Sequence, residues 1–534
     1  MSEVTTTRIG DKPALLSLPP SPTQRNSDAG PQFGTGLRRL PRRMVYALVP
    51  TLLRTHILKE PVSPRKLHAT SWMDGIRGLS AIAVFNLHYL FNFIQPYLGY
   101  HTTARLAETK HIAFLPPFCI FWDGGSAVNV FFAIAGYVCS LRALQLMQKG
   151  PSAYGQVLNA LSSSSFRRTF RLWLPTIVMS LFITLLAYFG GFGITDPMFA
   201  KDARKKWFAG VSEEINPRRM DALSKQLRYW IWDLAILSNL WKNDPQNIEH
   251  DPHYWTIAYE YRASLQVYAA LLLLARCKPM IRLVALCVIG VLFAFWGRIE
   301  GPLFFFGAAA AQWDVFKEAS GEREKGPGGK VLLGHPVASP KHDSSSLESG
   351  SLPAWINPRN ATGLRRSLTS MSRTILYAIA IYFMAYPKDG FGLPSFGYTW
   401  VNAWIPVWYW HREFRFPKTI GTLLLLNLLR TGGDRPGYWH KALTSDFAQY
   451  CGKVMFAFYL VHGTVLHAIG YAVPWWTWNL IGGNAGNVQW FIGIFAGWSF
   501  SLALSFWVAD IFHREIESRC MSVTKWIEAR CVVS

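Results

Sequence analysis

The sequence is poor in charged residues, and acidic residues are the scarcer of the two signs. Only 16% of its 534 residues are charged and 50% are hydrophobic, whereas about a quarter of the residues of a typical soluble domain are charged. Acidic residues number 32, against 54 basic ones. This composition excludes a set of ordinary soluble domains and predicts helices that are buried in a lipid bilayer.

Signatures of nucleic-acid binding and of structural metal sites are also lacking. The seven cysteines are scattered without a CxxC pair, so they predict neither a disulfide framework nor a metal site. The net charge of +22 comes from the N-terminal tail and from loops beside apolar runs, as the positive-inside rule expects. No zinc-finger, RNA-binding or basic heptad pattern accompanies this charge. We therefore expect the lipid bilayer, and no nucleic acid, as a partner.

Apolar runs divide the chain into ten predicted membrane spans. These spans cover about 75–95, 118–140, 172–192, 254–275, 280–297, 302–317, 373–387, 417–430, 452–473 and 488–511. A further run at about 395–411 is interrupted by Asn402 and Pro406, so we expect it to be re-entrant or interfacial. The predicted fold class is all-α, a polytopic membrane helical bundle.

Polar segments flank and interrupt this predicted transmembrane region, which extends over residues 69–512. We expect a disordered basic cytosolic tail at 1–68, a non-cytosolic segment at 193–252, a disordered cytosolic loop at 318–372 and a C-terminal tail at 513–534. The N-terminal tail has no apolar core of the signal-peptide type. The basic flanks place both termini in the cytosol and predict a multi-pass protein of an endomembrane or the plasma membrane.

The first predicted span carries three ionisable side chains, Asp74, Arg77 and His88. Arg77 and His88 are eleven residues apart, so a helix places them on nearly the same face, roughly 16 Å apart along its axis. Ionisable groups at membrane depth are costly and usually line a functional cavity. An imidazole titrates near neutral pH, which makes His88 the candidate general base. The alternatives are an ion pair of Asp74 with Arg77 at the helix entrance and a packing role for His88.

Two arginines and one glutamate are further candidates at the ends of predicted spans. Arg168 and Arg171 share one face of a helix entrance, where guanidinium groups suit phosphates, although basic residues there also determine topology. Glu260 begins an apolar helix, where a carboxylate either caps the helix or orients a reacting partner.

A group of three residues upstream of that helix resembles a metal cluster only superficially. Its members are His250, Asp251 and His253. Because no further ligand follows at a suitable spacing, we expect no metal there.

Five motifs follow one another along the chain. They are Arg77 with His88, Asn129-Val-Phe-Phe-Ala-Ile-Ala-Gly136, Arg168-Thr-Phe-Arg171, Trp255-Thr-Ile-Ala-Tyr-Glu260, and Gly452-Lys-Val-Met-Phe-Ala-Phe-Tyr-Leu-Val-His462. In this order and at these separations, the chain resembles the acyltransferase type 3 family of integral-membrane O-acyltransferases over about 70–512. The long tail and the inserted loop favour a fungal member.

The resemblance implies that an acyl group, above all acetyl, is transferred from acyl-CoA to a hydroxyl of a small molecule, a lipid or a glycan. It implies catalytic roles for His88 and Glu260, and binding of the CoA portion by Arg77, Arg168 and Arg171. Asp74, Trp255 and His462 are expected to contact substrate or to support the fold. No metal is implied. Asn129 replaces the family's usual aspartate, and this change bears on secondary contacts and on acceptor choice.

Other classes of function are less well supported by the same residues. A secondary transporter also keeps charges inside a helical bundle, but the sequence shows no matching pair of Gly/Pro-broken spans. A membrane scaffold with degenerate motifs is a third class. For the enzyme, we expect direct transfer, because no Cys or Ser is placed as an activated nucleophile. An acyl-histidine intermediate stays open.

Overall fold

The computed structural model describes most of the chain downstream of residue 70. The described residues are 48–51, 54, 67–68, 70–94, 115–200, 207–208, 214–241, 248–324, 358–387, 397–409, 413–431 and 437–531. The chain divides into two units, 1–49 and 50–534. Of the first unit only residues 48 and 49 are described, and all the helices below belong to the second.

Every regular element within these ranges is helical, and they contain no strand, which confirms the predicted all-α class. The helices are α1 (Ser71–Phe91), α2 (Gly124–Gln148), α3 (Tyr154–Tyr188), α4 (Leu223–Leu237), α5 (Trp255–Leu273), α6 (Pro279–Phe295), α7 (Glu300–Glu324), α8 (Pro358–Met384), α9 (Arg415–Arg430), α10 (Asp446–Ala468), α11 (Val473–Leu480), α12 (Asn487–Phe512) and α13 (Ser518–Cys531). Shorter helical turns occupy Phe118–Trp122, Pro151–Ala153, Asp196–Phe199, Pro252–Tyr254, Thr399–Asn402, Val407–Tyr409, Tyr438–Leu443, Gly470–Ala472 and His513–Glu517.

The count of ten membrane spans is not confirmed. In the described part of the chain, three helical stretches are long and apolar enough to cross a bilayer: Gly124–Gln148, Pro151–Tyr188 and Asn487–Cys531. A fourth is added if α10 and the helical stretch after it, which are bent by 47°, form one broken span. Because a span needs about 20 apolar residues, shorter helices such as α6 fall below that length.

Several predicted boundaries differ from those of the structure. Helix α3 begins at Tyr154 rather than at about 172, so Arg168 lies inside a helix and not at its entrance. The predicted non-cytosolic segment contains α4. Within the described residues 397–409 of the run at 395–411, the regular structure consists of two short helical turns, Thr399–Asn402 and Val407–Tyr409. Helices α7 and α8 extend into both ends of the predicted loop at 318–372, whereas 325–357 and most of 1–68 lie outside the described residues.

Glycines allow α1 and α10 to approach each other at backbone distance. A Cβ on Gly78 would lie 2.3 Å from the backbone nitrogen of Gly452, and a Cβ on Gly452 would lie 2.3 Å from the carbonyl oxygen of Asp74. Small residues at a helix crossing let the two backbones pack directly. This crossing sets the first halves of α1 and α10 side by side, so the residues that follow on each helix reach the same depth.

Glycine has the same role where α2 crosses α7. A Cβ on Gly136 would lie 2.1 Å from the carbonyl oxygen of Phe304, and a Cβ on Gly307 would lie 2.2 Å from that of Ala133. Gly136 ends the second of the five sequence motifs. The structure therefore gives the glycine of this motif a packing role.

Two apolar cores position the helices around the candidate site. One core joins α1, α3, α10 and α12 and includes Phe85, Ile183 and Phe458, and the other joins α2, α5, α6 and α7 and includes Phe132 and Phe304. Helix α5 contributes to both cores, with Ile257 in the first and Ala263 in the second, so its first turns lie where the two cores meet. The candidate site lies there.

Candidate active site

A cavity of about 380 Å³ lies between α1, α2, α3, α5 and α10. Its charged lining residues are Asp74, Arg77, Arg168, Arg171, Glu260, Lys453 and Glu517. Its apolar lining residues include Phe131, Phe132, Ile134, Ala135, Leu172, Ile257, Met455 and Phe456. The structure therefore brings the predicted arginines of two distant motifs, and Glu260, into one cavity with an apolar wall.

The cations of this cavity differ in their partners. Arg168 donates from Nη2 to Oε1 of Glu260 at 2.6 Å, and Nη1 of Arg77 lies 3.9 Å from Oδ1 of Asp74. Among the described residues, Arg171 and Lys453 line the cavity without forming an ion pair. These two charges are available to an anionic ligand, whereas Arg168 already serves a carboxylate.

His88 is not in the lining of this cavity but belongs to a cluster of imidazoles around Glu214. Its Nδ1 lies 3.1 Å from Oε1 of Glu214. Nε2 of His253 lies 3.2 Å from the same oxygen, and Nε2 of His467 lies 3.2 Å from Oε2. The Glu214 side chain is only 10% exposed. Three imidazole contacts offset the free-energy cost of removing this carboxylate from water.

The contact with Glu214 determines which nitrogen of His88 is free. An ionised carboxylate only accepts hydrogen bonds, so Nδ1 of His88 carries the proton and donates it. In a neutral imidazole, Nε2 then keeps its lone pair. His88 therefore has the tautomer that a general base needs, with its orientation held by a carboxylate behind it.

His253 lies between two carboxylates. Its Nδ1 is 2.7 Å from Oδ1 of Asp251, its Nε2 faces Glu214, and its ring centroid is 3.7 Å from that of His88. Burial lowers the pKa of His253, but Asp251 and Glu214 outweigh this effect and raise the pKa to about 10. For Glu214, burial has the opposite effect and raises the pKa. The charge of His253 and the imidazole hydrogen bonds nevertheless hold the pKa of Glu214 well below its ordinary value. An imidazolium and a carboxylate therefore face each other at neutral pH.

Three imidazoles lie close enough together to bind one metal ion, an arrangement that the sequence did not indicate. Ring nitrogens of His88, His253 and His462 all lie within 4.8 Å of one another. His250 is elsewhere, with its Nδ1 2.5 Å from Oδ2 of Asp233. Both nitrogens of His253 face carboxylates, and Nδ1 of His88 contacts one of the same carboxylates, Glu214.

The two remaining predicted residues are His462 and Trp255, and they lie in different parts of the structure. His462 lies in the imidazole cluster, with its ring centroid 5.6 Å from that of His88, and its Nδ1 donates to the carbonyl oxygen of Tyr459 at 2.8 Å. Trp255 lines neither this cluster nor the cavity and packs beside Tyr259, 5.2 Å between ring centroids.

The carboxylate next to His88 is one that the sequence analysis missed. Glu260, the predicted catalytic carboxylate, pairs with Arg168 instead. The sequence analysis did not assign Glu214, His253 or His467 to the site. Glu214 lies in a segment without a periodic pattern, so no local signal indicated it. The position of His253, two residues before the Trp255 motif, was the one available signal.

A second hollow of about 240 Å³ adjoins the loop that carries Glu214. Its lining residues are Ala187, Phe192, Asp196, Phe199, Ala200, Ile215, Asn216, Pro217, Arg218 and Arg219. Oδ1 of Asn216 lies 2.8 Å from Nδ1 of His467, and His467 contacts Glu214. The wall of this hollow is therefore connected to the imidazole cluster by two contacts in series.

Comparison with known proteins identifies related sequences along nearly the whole described region. Residues 70–510 match a family of proteins described as an acyltransferase domain. The O-acetyltransferase PaAT-1 of Phomopsis amygdali is 24% identical over 498 residues, which cover 90% of this chain and 88% of that protein. The acyltransferase clz18 of Cochliobolus lunatus is also 24% identical over 498 residues, which cover 86% and 96%. No solved structure matches the chain.

Proposed function

Since this chain belongs to the acyltransferase type 3 family and is an O-acyltransferase, we propose that it transfers acetyl from acetyl-CoA to a hydroxyl, with His88 as the general base. The observation that carries this proposal is the contact of Nδ1 of His88 with Glu214, which leaves Nε2 free to accept a proton. One relative is named as an O-acetyltransferase, and this name supports acetyl as the group that is transferred.

In the proposed reaction, Nε2 of His88 takes the proton of the acceptor hydroxyl while the hydroxyl oxygen attacks the thioester carbonyl. The C–S bond breaks, and the protonated His88 returns its proton to the departing CoA sulfur. The products are an ester and free CoA, and no redox change occurs. Glu214, which accepts from Nδ1 of His88, stabilises the imidazolium that forms when Nε2 takes the proton.

The donor binds, in this proposal, in the cavity that contains Arg171 and Lys453. These two side chains face the phosphate groups of CoA, and the apolar wall receives the pantetheine chain. Arg77 lies on the same wall as Asp74, about three helical turns from His88. An extended donor is long enough to bridge this separation.

The acceptor binds, in this proposal, in the hollow beside Asn216. Its lining combines aromatic side chains with charged ones, as in Phe192, Phe199 and Arg219, which suits a small molecule with an apolar skeleton and polar groups. Donor and acceptor then approach the imidazole cluster from different sides. With α1 beginning in the cytosol, the donor enters from the cytosolic side.

The test uses purified full-length protein in lipid nanodiscs with ¹³C-labelled acetyl-CoA and an extract of cells that lack the gene. Mass spectrometry then measures labelled acetyl esters. The wild type is expected to form them, His88→Gln to lose at least 10²-fold of the rate, and Glu214→Gln to lose about 10-fold or more with little change in the KM for acetyl-CoA. His68→Gln, at an exposed position before α1, is the control.

Three results would contradict the proposal at different points. If the wild type transfers no label to any compound, acetyl-CoA is not the donor. If His88→Gln keeps the wild-type rate, His88 is not the base. If Glu214→Gln acts only through the KM for acetyl-CoA, Glu214 does not orient His88.

A further inference from the structure

The donor cavity ends one helical turn before the imidazole cluster. On α10 its lining residues run from Gly452 to Tyr459, and on α5 they run from Glu260 back to Thr256. His462 follows Tyr459 on α10 by three residues, about 4.5 Å of helix rise. His253 precedes Thr256 by three residues on the other side. Tyr459 and Thr256 therefore lie at the same depth, between the cavity and the imidazoles.

Two contacts hold the Tyr459 ring in this place. Its hydroxyl donates to the carbonyl oxygen of His253 and lies 2.5 Å from Oγ1 of Thr256. The residue is only 8% exposed, and its ring centroid is 5.8 Å from that of His462. A phenol hydroxyl that donates one hydrogen bond and contacts a second hydroxyl restricts the rotamers of its ring. The Tyr459 ring therefore forms a defined wall at this end of the cavity.

We propose that Tyr459 determines the length of the acyl group that the enzyme accepts. This inference rests on the proposed function, because the thioester carbonyl of a CoA donor in the cavity must lie beside this ring to meet an acceptor hydroxyl held at Nε2 of His88. An acetyl group needs room for one methyl beyond its carbonyl. A longer chain needs additional volume at the depth of the ring, and overlap with a side chain that cannot turn aside excludes it.

The neighbouring residues are consistent with this role for Tyr459. Met455, one turn before it on α10, is an unbranched side chain with several rotamers and adapts to different ligands. Of the cavity-lining side chains at the inner end, Tyr459 is the one that combines large volume with two hydrogen bonds to fixed partners.

The test compares acetyl-CoA, butyryl-CoA and octanoyl-CoA as donors for the wild type, Tyr459→Ala, Tyr459→Leu and Tyr459→Phe in nanodiscs. The readout is the ratio of kcat/KM for octanoyl-CoA to that for acetyl-CoA. We expect Tyr459→Ala and Tyr459→Leu to raise this ratio about 10-fold or more. Tyr459→Phe keeps the ring but loses both hydroxyl contacts, and its ratio is expected to lie between those of the wild type and Tyr459→Ala. Tyr459→Leu serves as a second small variant if Tyr459→Ala does not fold, as judged by thermal unfolding.

The outcomes separate this inference from the function on which it rests. A wild type that transfers no acyl group from any CoA donor contradicts the proposed function. A wild type that transfers acetyl, with a ratio unchanged in both small variants, overturns the role of Tyr459 alone. A Tyr459→Phe ratio higher than that of Tyr459→Ala also overturns it, because removal of the ring volume would then matter less than removal of the hydroxyl.

Discussion

At the scale of single residues, the two arginines of one sequence motif differ in their ion-pair partners. Arg168 and Arg171 are three positions apart in α3 and both line the donor cavity. Arg168 is 17% exposed and bonded to Glu260, so its charge is already matched by a carboxylate. Arg171 has no such partner in the described part of the chain. An incoming phosphate therefore gains more from Arg171 than from its neighbour.

Arg171→Ala is expected to raise the KM for acyl-CoA about 10-fold, with kcat changed less. The reason is the loss of a charge-assisted contact to phosphate, which contributes about 1.5–3 kcal/mol. The matched control is Arg142→Ala, which removes an exposed arginine from α2 that does not line the cavity. Steady-state kinetics with varied acyl-CoA measures both constants. Equal KM values for the two variants would rule out the phosphate contact.

At the scale of elements, the crossing of α1 and α10 sets the position of the cavity relative to the imidazole cluster. The two helices touch at Gly78 and Gly452. Helix α1 carries Arg77 and His88, and α10 carries Tyr459 and His462. A shift at the crossing would therefore displace the cavity relative to the imidazoles. Helix α5 spans the same interval, from His253 just before its first residue to Glu260 in the cavity.

Gly452→Ala is expected to destabilise the protein by about 1–3 kcal/mol, because a Cβ at 2.3 Å from the carbonyl oxygen of Asp74 forces two backbones apart. Gly155→Ala is the matched control, since a Cβ there meets no atom within 4 Å. It should leave the unfolding temperature unchanged or raise it slightly. Thermal unfolding of both variants in the same detergent measures the difference. Equal unfolding temperatures would contradict the close crossing.

At the scale of the whole molecule, a buried charge pair joins the segment before α4 to the helices of the site. Glu214 belongs to the predicted non-cytosolic segment, and His253 precedes α5. Each holds the pKa of the other on the charged side of its ordinary value. The pairing therefore stabilises the folded protein over a defined range of pH.

The sign of this contribution differs at the two ends of the range. The pKa of His253 is raised from 6.5 to about 10, so its stabilising contribution is complete below about pH 6.5 and is lost as the pH rises toward 10. The pKa of Glu214 is lowered from 4.5, so its contribution is present above that pH and is lost as the pH falls below it.

His253→Gln is accordingly expected to lower the unfolding temperature most near pH 6.5 and progressively less as the pH approaches 10. Unfolding temperatures of the wild type and the variant, measured from pH 6 to pH 10, give the difference at each pH. His68→Gln, at an exposed position, should show no such convergence. A difference that stays constant or widens with rising pH would contradict the buried imidazolium.

The contribution of sequence reasoning is clearest for residues within one helix. The spacing of Arg77 and His88 predicts a shared α1, and the structure has that helix from Ser71 to Phe91. The apolar runs predict most of the helices, because periodic burial is a local property of the chain. Span boundaries were less reliable: α3 begins well before its apolar part, because its first turns are held by Val157 and Leu161, which are buried in the second core.

By itself, the sequence determined the helical class, the acyltransferase motifs and the three arginines that line the cavity, because each depends on residue types at short separations. Only the tertiary structure decided that Glu214, and not Glu260, lies behind His88, and that Tyr459 closes the cavity. Glu214 is 126 positions from His88, and Tyr459 is 206 positions from His253. Contacts over such distances depend on how helices cross, and a crossing leaves no periodic pattern in the chain.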